Sequence, residues 1–303
     1  MAEVNRVSTI GIHRRTIDDI NRVQFAMSEA QRKITTGLKA STFGELGGDV
    51  TKVVGLESSL KSAGRFINSN EVVITRLKTM DLAVEKIQEV ASNLASQLAL
   101  ERSSSANLNN MTEFAKASLT QVEEALNTQQ NGRYLFSGGK TNIRSVAVDL
   151  ANASSVVNGS PTANYYGGDD LTFSTQASSQ LSIEYGIKGN DVAFQNVIGA
   201  LHKAITGEAG STTDLEEAVT LVNQAVSDLA RVRSQINTDV ITLNDINTQH
   251  KKVEIELKNV IDKTVGADVV EASIDVSLNE AILTATLQTF ARISRLTLSD
   301  YLR

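Results

Sequence analysis

From Val269 to Arg303 the chain contains neither Gly nor Pro, so nothing in that stretch interrupts a helix. Asp268 followed by Glu271 supplies a cap and a capping-box partner at its start. At about 100° per residue, Ile274, Leu278, Ala281, Ile282, Ala285, Ile293 and Leu296 fall on one side. Leu283, Leu287, Phe290 and Leu298 fall on roughly the opposite side. A helix that is apolar all round must be covered all round. Either it runs through the middle of its own core, or neighbouring subunits cover it. The rest of the chain favours the second reading.

Aromatic residues make up only 4% of the chain, with no Trp, so thin seams between helices are expected rather than a broad core built on large side chains. A single Pro points to long uninterrupted helices. The net charge of −6 is mild and the signs are interspersed; there is no basic face for nucleic acid and no polybasic membrane anchor. With no Cys, disulfides and thiolate metal sites are excluded. The opening Met1-Ala2-Glu3-Val4-Asn5-Arg6 lacks the apolar run of a general secretory signal. No run of about 18 apolar residues could span a bilayer. The expectation is a cytoplasmic protein, or one exported without a cleaved signal.

Residues 4–36 read as a first helix. Its stripe carries Ile10, Ile17, Ile20, Met27 and Ile34, with His13, Gln24 and Gln31 at intervening positions, and Gly37 as the stop. Segment 1–40 holds seven Lys or Arg against four acids, and segment 268–303 five acids against three Arg. The two ends are therefore mildly complementary, which suits pairing. Five glycines make 41–64 look looser. Between Gly64 and Gly132 there is no Gly or Pro, and Leu77, Met80, Val84, Ile87, Ala91, Leu94 and Leu98 alternate strictly by three and four. That is an a/d seam, which needs a partner helix. The Ser103–Asn107 run breaks it. A second helix restarts near Asn110, carries Ala115, Leu119, Val122 and Leu126, and is expected to end at Asn131-Gly132.

From about 140 to 190, Gly, Ser, Asn and Thr dominate, and short alternating runs at 146–148, 171–173 and 181–185 read as half-buried strands. A bridging helix around Val192–Ile205 follows. Thr213 and Glu216 then open a long helix whose heptads use Leu215, Val219, Val222, Val226, Leu229, Ile236, Val240 and Leu243, with Arg233 the polar insertion. Register weakens at Asn247, His250 and Glu254. From Gly210 to Gly266 the helix would run for roughly 80 Å. The fold expected is mainly α: long antiparallel heptad helices with paired N- and C-terminal helices and a small β insertion. Its divisions are 1–40 with 268–303, 41–140 with 190–267, and 141–189.

No catalytic or cofactor constellation stands out. His13, His202 and His250 are isolated, without metal-ligand spacing. Lys140-Thr141 resembles the tail of a phosphate-binding loop, but the first glycine of that motif is replaced by Tyr134. Asp169-Asp170 reads as a solvated turn before a cation site. No enzyme activity, cofactor or metal is expected.

Two stretches carry a family resemblance. Asn131-Gly132-Arg133-Tyr134-Leu135-Phe136-Ser137-Gly138-Gly139-Lys140-Thr141 closely resembles the segment that closes the N-terminal helical half in the family of flagellar hook–filament junction proteins, the third hook-associated proteins, relatives of flagellin. Leu296-Thr297-Leu298-Ser299-Asp300-Tyr301-Leu302 is similar to that family's ending, as are Arg6–Thr9, Ile34–Gly37 and Tyr166–Asp169 to its other motifs. Ser41–Leu46 departs from the Pro-Ser-Asp-Asp-Pro-like run the family often carries.

The resemblance implies a flagellin-like fold and a structural adaptor between hook and filament. It also implies a homo-oligomeric ring, the first hook-associated protein and flagellin as neighbours, an export chaperone on the C-terminal helix, and no nucleic-acid or membrane partner. Export would use the flagellar channel, leaving the protein extracellular with no cleaved signal peptide. The alternatives are a filament flagellin or, in a different class, a secreted coiled-coil translocator. The assembly residues expected are Ile10, Ile17, Ile20, Met27, Ile274, Leu278, Ile282, Leu283, Leu287, Phe290, Ile293, Leu296 and Leu298. The family motif rests on Gly132, Arg133, Tyr134, Phe136, Ser137 and Gly138.

Overall fold

The structure, a computed structural model, describes residues 2–103, 108–146, 150, 165–206 and 212–301. Helix α1 is Ala2–Thr36, followed by a 3-10 helix at Phe43–Asp49. Then come α2 (Val50–Ser103), α3 (Leu108–Leu126), strands β1 (Gln129–Gln130), β2 (Arg133–Tyr134), β3 (Phe173–Gln176) and β4 (Ser182–Tyr185), α4 (Val192–Thr206), α5 (Thr212–Val265) and α6 (Val269–Tyr301). The chain is mainly α, as its periodicity predicts. It divides into two compact units, Met1–Lys61 with Glu254–Arg303, and Ser62–Val253.

In the first unit α1 packs along α6. The helix ends follow local chemistry. Gly37 takes φ +68, and its N–H donates to Lys33 O at 2.8 Å, which closes α1. Asp268 caps α6, its Oδ1 accepting from the N–H of Val270 (2.9 Å) and of Glu271 (3.0 Å). The glycines of 41–64 do not mark a loose region to its end. Helix α2 runs through Gly55 and Gly64, because the heptad pattern beyond them propagates backwards to Val50 and propensity alone costs only about 1 kcal/mol per Gly.

In the second unit the heptad residues Leu77, Met80, Val84, Ile87, Ala91, Leu94 and Leu98 are all buried. Their partner is α5, which runs antiparallel: Asp81 meets Arg233 and Glu71 meets Lys251. The side of α5 that is buried is shifted from the expected one. Ala218, Ala225 and Val232 are buried, while Val219 and Val226 are half-buried against the same core. Helix α4 flanks α5 through Asn196 Nδ2 on Asp228 Oδ2 at 3.2 Å. Arg233 is left at the α2 edge, where Nε donates to Asp81 Oδ1 at 3.0 Å and Nη1 to Gln88 Oε1 at 3.2 Å.

Helix α3 contributes Ala115, Leu119, Val122 and Leu126 to this core, and α4 contributes Phe194, Val197, Ile198 and Leu201. Asn131-Gly132 does not end α3, which stops at Leu126. With φ of 53 and 75 the pair forms the two-residue turn of the β1–β2 hairpin, where Gln130 faces Arg133; two successive positive φ values are what such a turn requires. Thr213 lies inside the first turn of α5, one residue after its start at Thr212, so it is not the N-cap.

Strands β3 and β4 pair antiparallel, Phe173 opposite Tyr185 and Gln176 opposite Ser182. This hairpin leans on the helices through Arg76, whose guanidinium lies 5.7 Å and 5.8 Å from the Phe173 and Tyr185 ring centres. Arg76 Nη1 also donates to Tyr185 Oη at 2.7 Å. The weakened register near Asn247 has a use here. Asn70 Nδ2 donates to Asn247 Oδ1 (2.9 Å) and to the hairpin's Ala177 O (3.1 Å). His250, stacked on Phe66 at 5.4 Å, bonds the same carbonyl through Nε2 at 3.0 Å.

Candidate assembly surface

The α1–α6 pair meets along a thin seam. On α6 the less exposed positions are Ala272, Val276, Asn279, Leu283, Thr286 and Phe290, and on α1 Ile20, Val23, Met27, Ala30 and Ile34. Both rows step by four and three, as a two-helix seam does. Among the described side chains of this pair only Ala30 and Ala272 are buried, and Asn279 and Thr286 put polar groups into the row. Such a seam buries little apolar area.

The opposite side of α6 remains bare. Val270 is 70% exposed, Ile274 62% and Leu278 55%, with Ile282 also exposed, whereas the exposed Leu287 flanks the other edge of the seam, about 180° from Leu278. On α1, Ile17 and Phe25 stand in solvent, Phe25 at 69%. A continuous row of large apolar side chains on one helix pair marks an interaction surface.

Of the residues expected to drive assembly, Ile20, Met27, Leu283 and Phe290 lie toward the intramolecular seam. Ile17, Ile274, Leu278, Ile282 and Leu287 face outward. The side chains of Ile10, Ile293, Leu296 and Leu298 lie outside the described residues, as does that of His13. Sequence periodicity missed Phe25 and Val270. Phe25 falls between two stripe positions, and Val270 sits in the first turn, where no preceding turn reveals its face.

The family motif is a glycine-packed clasp in the second unit. Phe136 and Ser137 are fully buried, with the Phe136 ring edge-on to Phe194 at 5.8 Å. Gly138 has φ +61, and a Cβ there would strike the backbone of Asp169. A Cβ on Gly168 would strike the Tyr166 ring and lie 2.5 Å from Ser137 O. Around these contacts Gly139 N donates to Asp169 Oδ1 (2.6 Å), Asp169 N to Ser137 O (3.2 Å), Tyr166 Oη to Asp169 O (2.8 Å) and Gly189 N to Phe136 O (2.7 Å).

The two stretches that carry the resemblance, 131–141 and 166–169, are thus packed on each other. Burial, reinforced by the Asp169 and Asp170 carboxylates, pushes the Tyr166 phenol up to about 12. Asp169 is committed to backbone N–H groups and Asp170 to Lys188 and Asn190, so both serve the turn rather than a ligand. Gly132, Arg133 and Tyr134 form the outer hairpin, Tyr134 N donating to Thr141 O at 2.8 Å.

Among the described residues no group of three or more His, Cys, Asp or Glu side chains could hold a metal ion. No described helix is long and apolar enough to cross a membrane.

Residues 7–141 match the bacterial flagellin N-terminal helical region. The chain's fold is shared with flagellar hook-associated proteins. One from Vibrio parahaemolyticus superposes with a TM-score of 0.60 at 12% identity, covering 72% of this chain and 97% of that one. FlgL of Bacillus cereus superposes with a TM-score of 0.50 at 12% identity, covering 64% of this chain and 98% of that one. No curated protein matches the chain by sequence.

Proposed function

We propose that this chain is a structural adaptor that joins the flagellar hook to the filament, and that it assembles through its paired terminal helices after export. The observation that carries the reading is the bare apolar row on α6, from Val270 through Ile282. The chain's own α1 does not cover it, and other subunits would. The flagellin helical region in residues 7–141 and the likeness to hook-associated folds support the same role, which is structural rather than catalytic.

In this reading the protein forms a homo-oligomeric ring outside the cell, with the first hook-associated protein on one side and flagellin on the other. Before assembly a chaperone shields the C-terminal helix, since an uncovered apolar row invites aggregation. The division into inner terminal helices (1–40 with 268–303), helical body (41–140 with 190–267) and outer insertion (141–189) belongs to the same proposal.

A deletion strain tests it. Loss of the adaptor leaves hooks intact and releases unpolymerised flagellin into the medium. If the chain is instead the sole filament flagellin, nothing is released. Filaments that persist on hooks without this chain would reject the adaptor role.

A further inference from the structure

In the second unit, one carbonyl oxygen of the β3–β4 hairpin is bound from two helices at once. Ala177 O accepts from Asn70 Nδ2 of α2 at 3.1 Å and from His250 Nε2 of α5 at 3.0 Å. A carbonyl only accepts, so Nε2 carries the ring proton, and both lone pairs of the oxygen are in use. The other hydrogen of the Asn70 amide goes to Asn247 Oδ1 at 2.9 Å, one turn before His250 on α5. Asn70 and Asn247 are buried, at 0% and 4% exposure. Asn70 Oδ1 finds no hydrogen-bond partner among the described residues, so the node costs stability that an apolar pair would keep.

The apolar seam does not by itself fix how α2 and α5 align. Leu77, Val84 and Ala91 on α2 and Leu229, Ile236 and Leu243 on α5 step by seven and are all buried. Sliding α5 by one heptad, about 10 Å, therefore sets apolar rows against apolar rows again. The polar positions do not survive the slide. If Asn244 takes the place of Lys251 beside Glu71, Asn70 comes opposite Val240 and Asn247 opposite Leu77. Each amide is then buried without the other, which no apolar contact repays. Asn70 and His250 also move about 10 Å apart along the helices, and one oxygen can no longer receive both.

We propose that Asn70, Asn247 and His250 are a register key, which admits one alignment of α2 with α5 and lets the β3–β4 hairpin dock on that alignment alone. Ala177 O reaches a donor from each helix only when residues 70 and 250 are level. The docked hairpin in turn holds the alignment, because its carbonyl ties the two helices together. Ser69 Oγ, 3.4 Å from Thr175 Oγ1 on β3, fixes the hairpin to the same turn of α2. These are positioning residues of the second unit, and their role does not depend on the adaptor reading.

Disulfide trapping on the full chain tests the key, and the chain has no Cys of its own to interfere. Glu71→Cys with Lys251→Cys reports the native alignment, where the two side chains meet at 3.6 Å. Glu71→Cys with Asn244→Cys reports the one-heptad slip. In the parent background only the first pair should close. With Asn70→Leu and Asn247→Leu together, the slip strands no amide, and closure of the 71–244 pair should rise at least about tenfold. Val232→Ala, which loosens the same seam without touching the key, should leave that pair open. A double-leucine chain that still closes only the 71–251 pair overturns the proposal. So does equal slip in Val232→Ala, or failure of the double-leucine chain to fold, since the amides would then serve stability rather than register.

Discussion

Placing a carboxylate on an exposed apolar position of α6 separates the single chain from its assembly, and Leu287→Asp does so at a residue that flanks the seam and is 47% exposed. Full burial of a leucine side chain is worth about 1.5–3 kcal/mol. About half of that, roughly 1 kcal/mol, comes from cover within the chain, and this is the most the monomer can lose. The loss falls in the α1–α6 pair; the core of the second unit contains no residue of α6. A subunit interface would instead bury the new charge without a partner, at a cost of about 3–5 kcal/mol per subunit. That weakens each association step between about a hundredfold and a few thousandfold. The assays are thermal melting by circular dichroism and rescue of motility in a deletion strain. The expected result is an unchanged main melting transition with motility abolished. Motility retained, or a main transition lowered by more than about 4 °C, as a loss above about 1 kcal/mol would give in a unit of this size, refutes the argument that α6 is covered by other subunits.

Gly168→Ala should destabilise the second unit by about 1–3 kcal/mol, read as a lower urea midpoint, because the new methyl meets the Tyr166 ring and Ser137 O. Gly55→Ala acts in the opposite direction. It places a methyl in open space on α2 and should stabilise that helix by about 1 kcal/mol, seen as slower amide exchange around residue 55. His202 gives a pH dependence. Burial holds its folded pKa below the usual 6.5, against a hydrogen bond with the Leu150 backbone that raises it. Above 6.5 both states are neutral and nothing is lost. As the pH falls below 6.5 the unfolded chain takes up the proton first, and stability drops until the folded pKa is reached. Urea midpoints at pH 7.5 and 5.5 should therefore differ more for the parent than for His202→Gln, and equal differences would contradict this.

Much of the fold can be read from the order of residues. The α2 seam, the helix end at Gly37 and the Asp268 cap are local or strictly periodic, and each stands where the residues put it. The misreadings have a common origin. Asn131-Gly132 suits a helix end as well as a hairpin turn, and the choice depends on whether Gln130 finds Arg133 across it. On α5, residues 218, 225 and 232 and residues 219, 226 and 233 fit a three-four alternation equally well. Only in the folded chain does the first set become the fully buried one, with Val219 and Val226 half-buried beside it.

For the assembly surface, the sequence by itself determined that the final helix is apolar on two sides and that its own chain is short of cover. Composition and spacing suffice for that, because they count apolar positions and assign them to faces. Which face turns to α1 and which to solvent was decided only in three dimensions. So was the meeting of 131–141 with 166–169. The reason is physical: a helical period fixes angles within one segment, whereas the partner of each face is chosen by contacts between residues far apart in the chain, whose free energies no single segment contains.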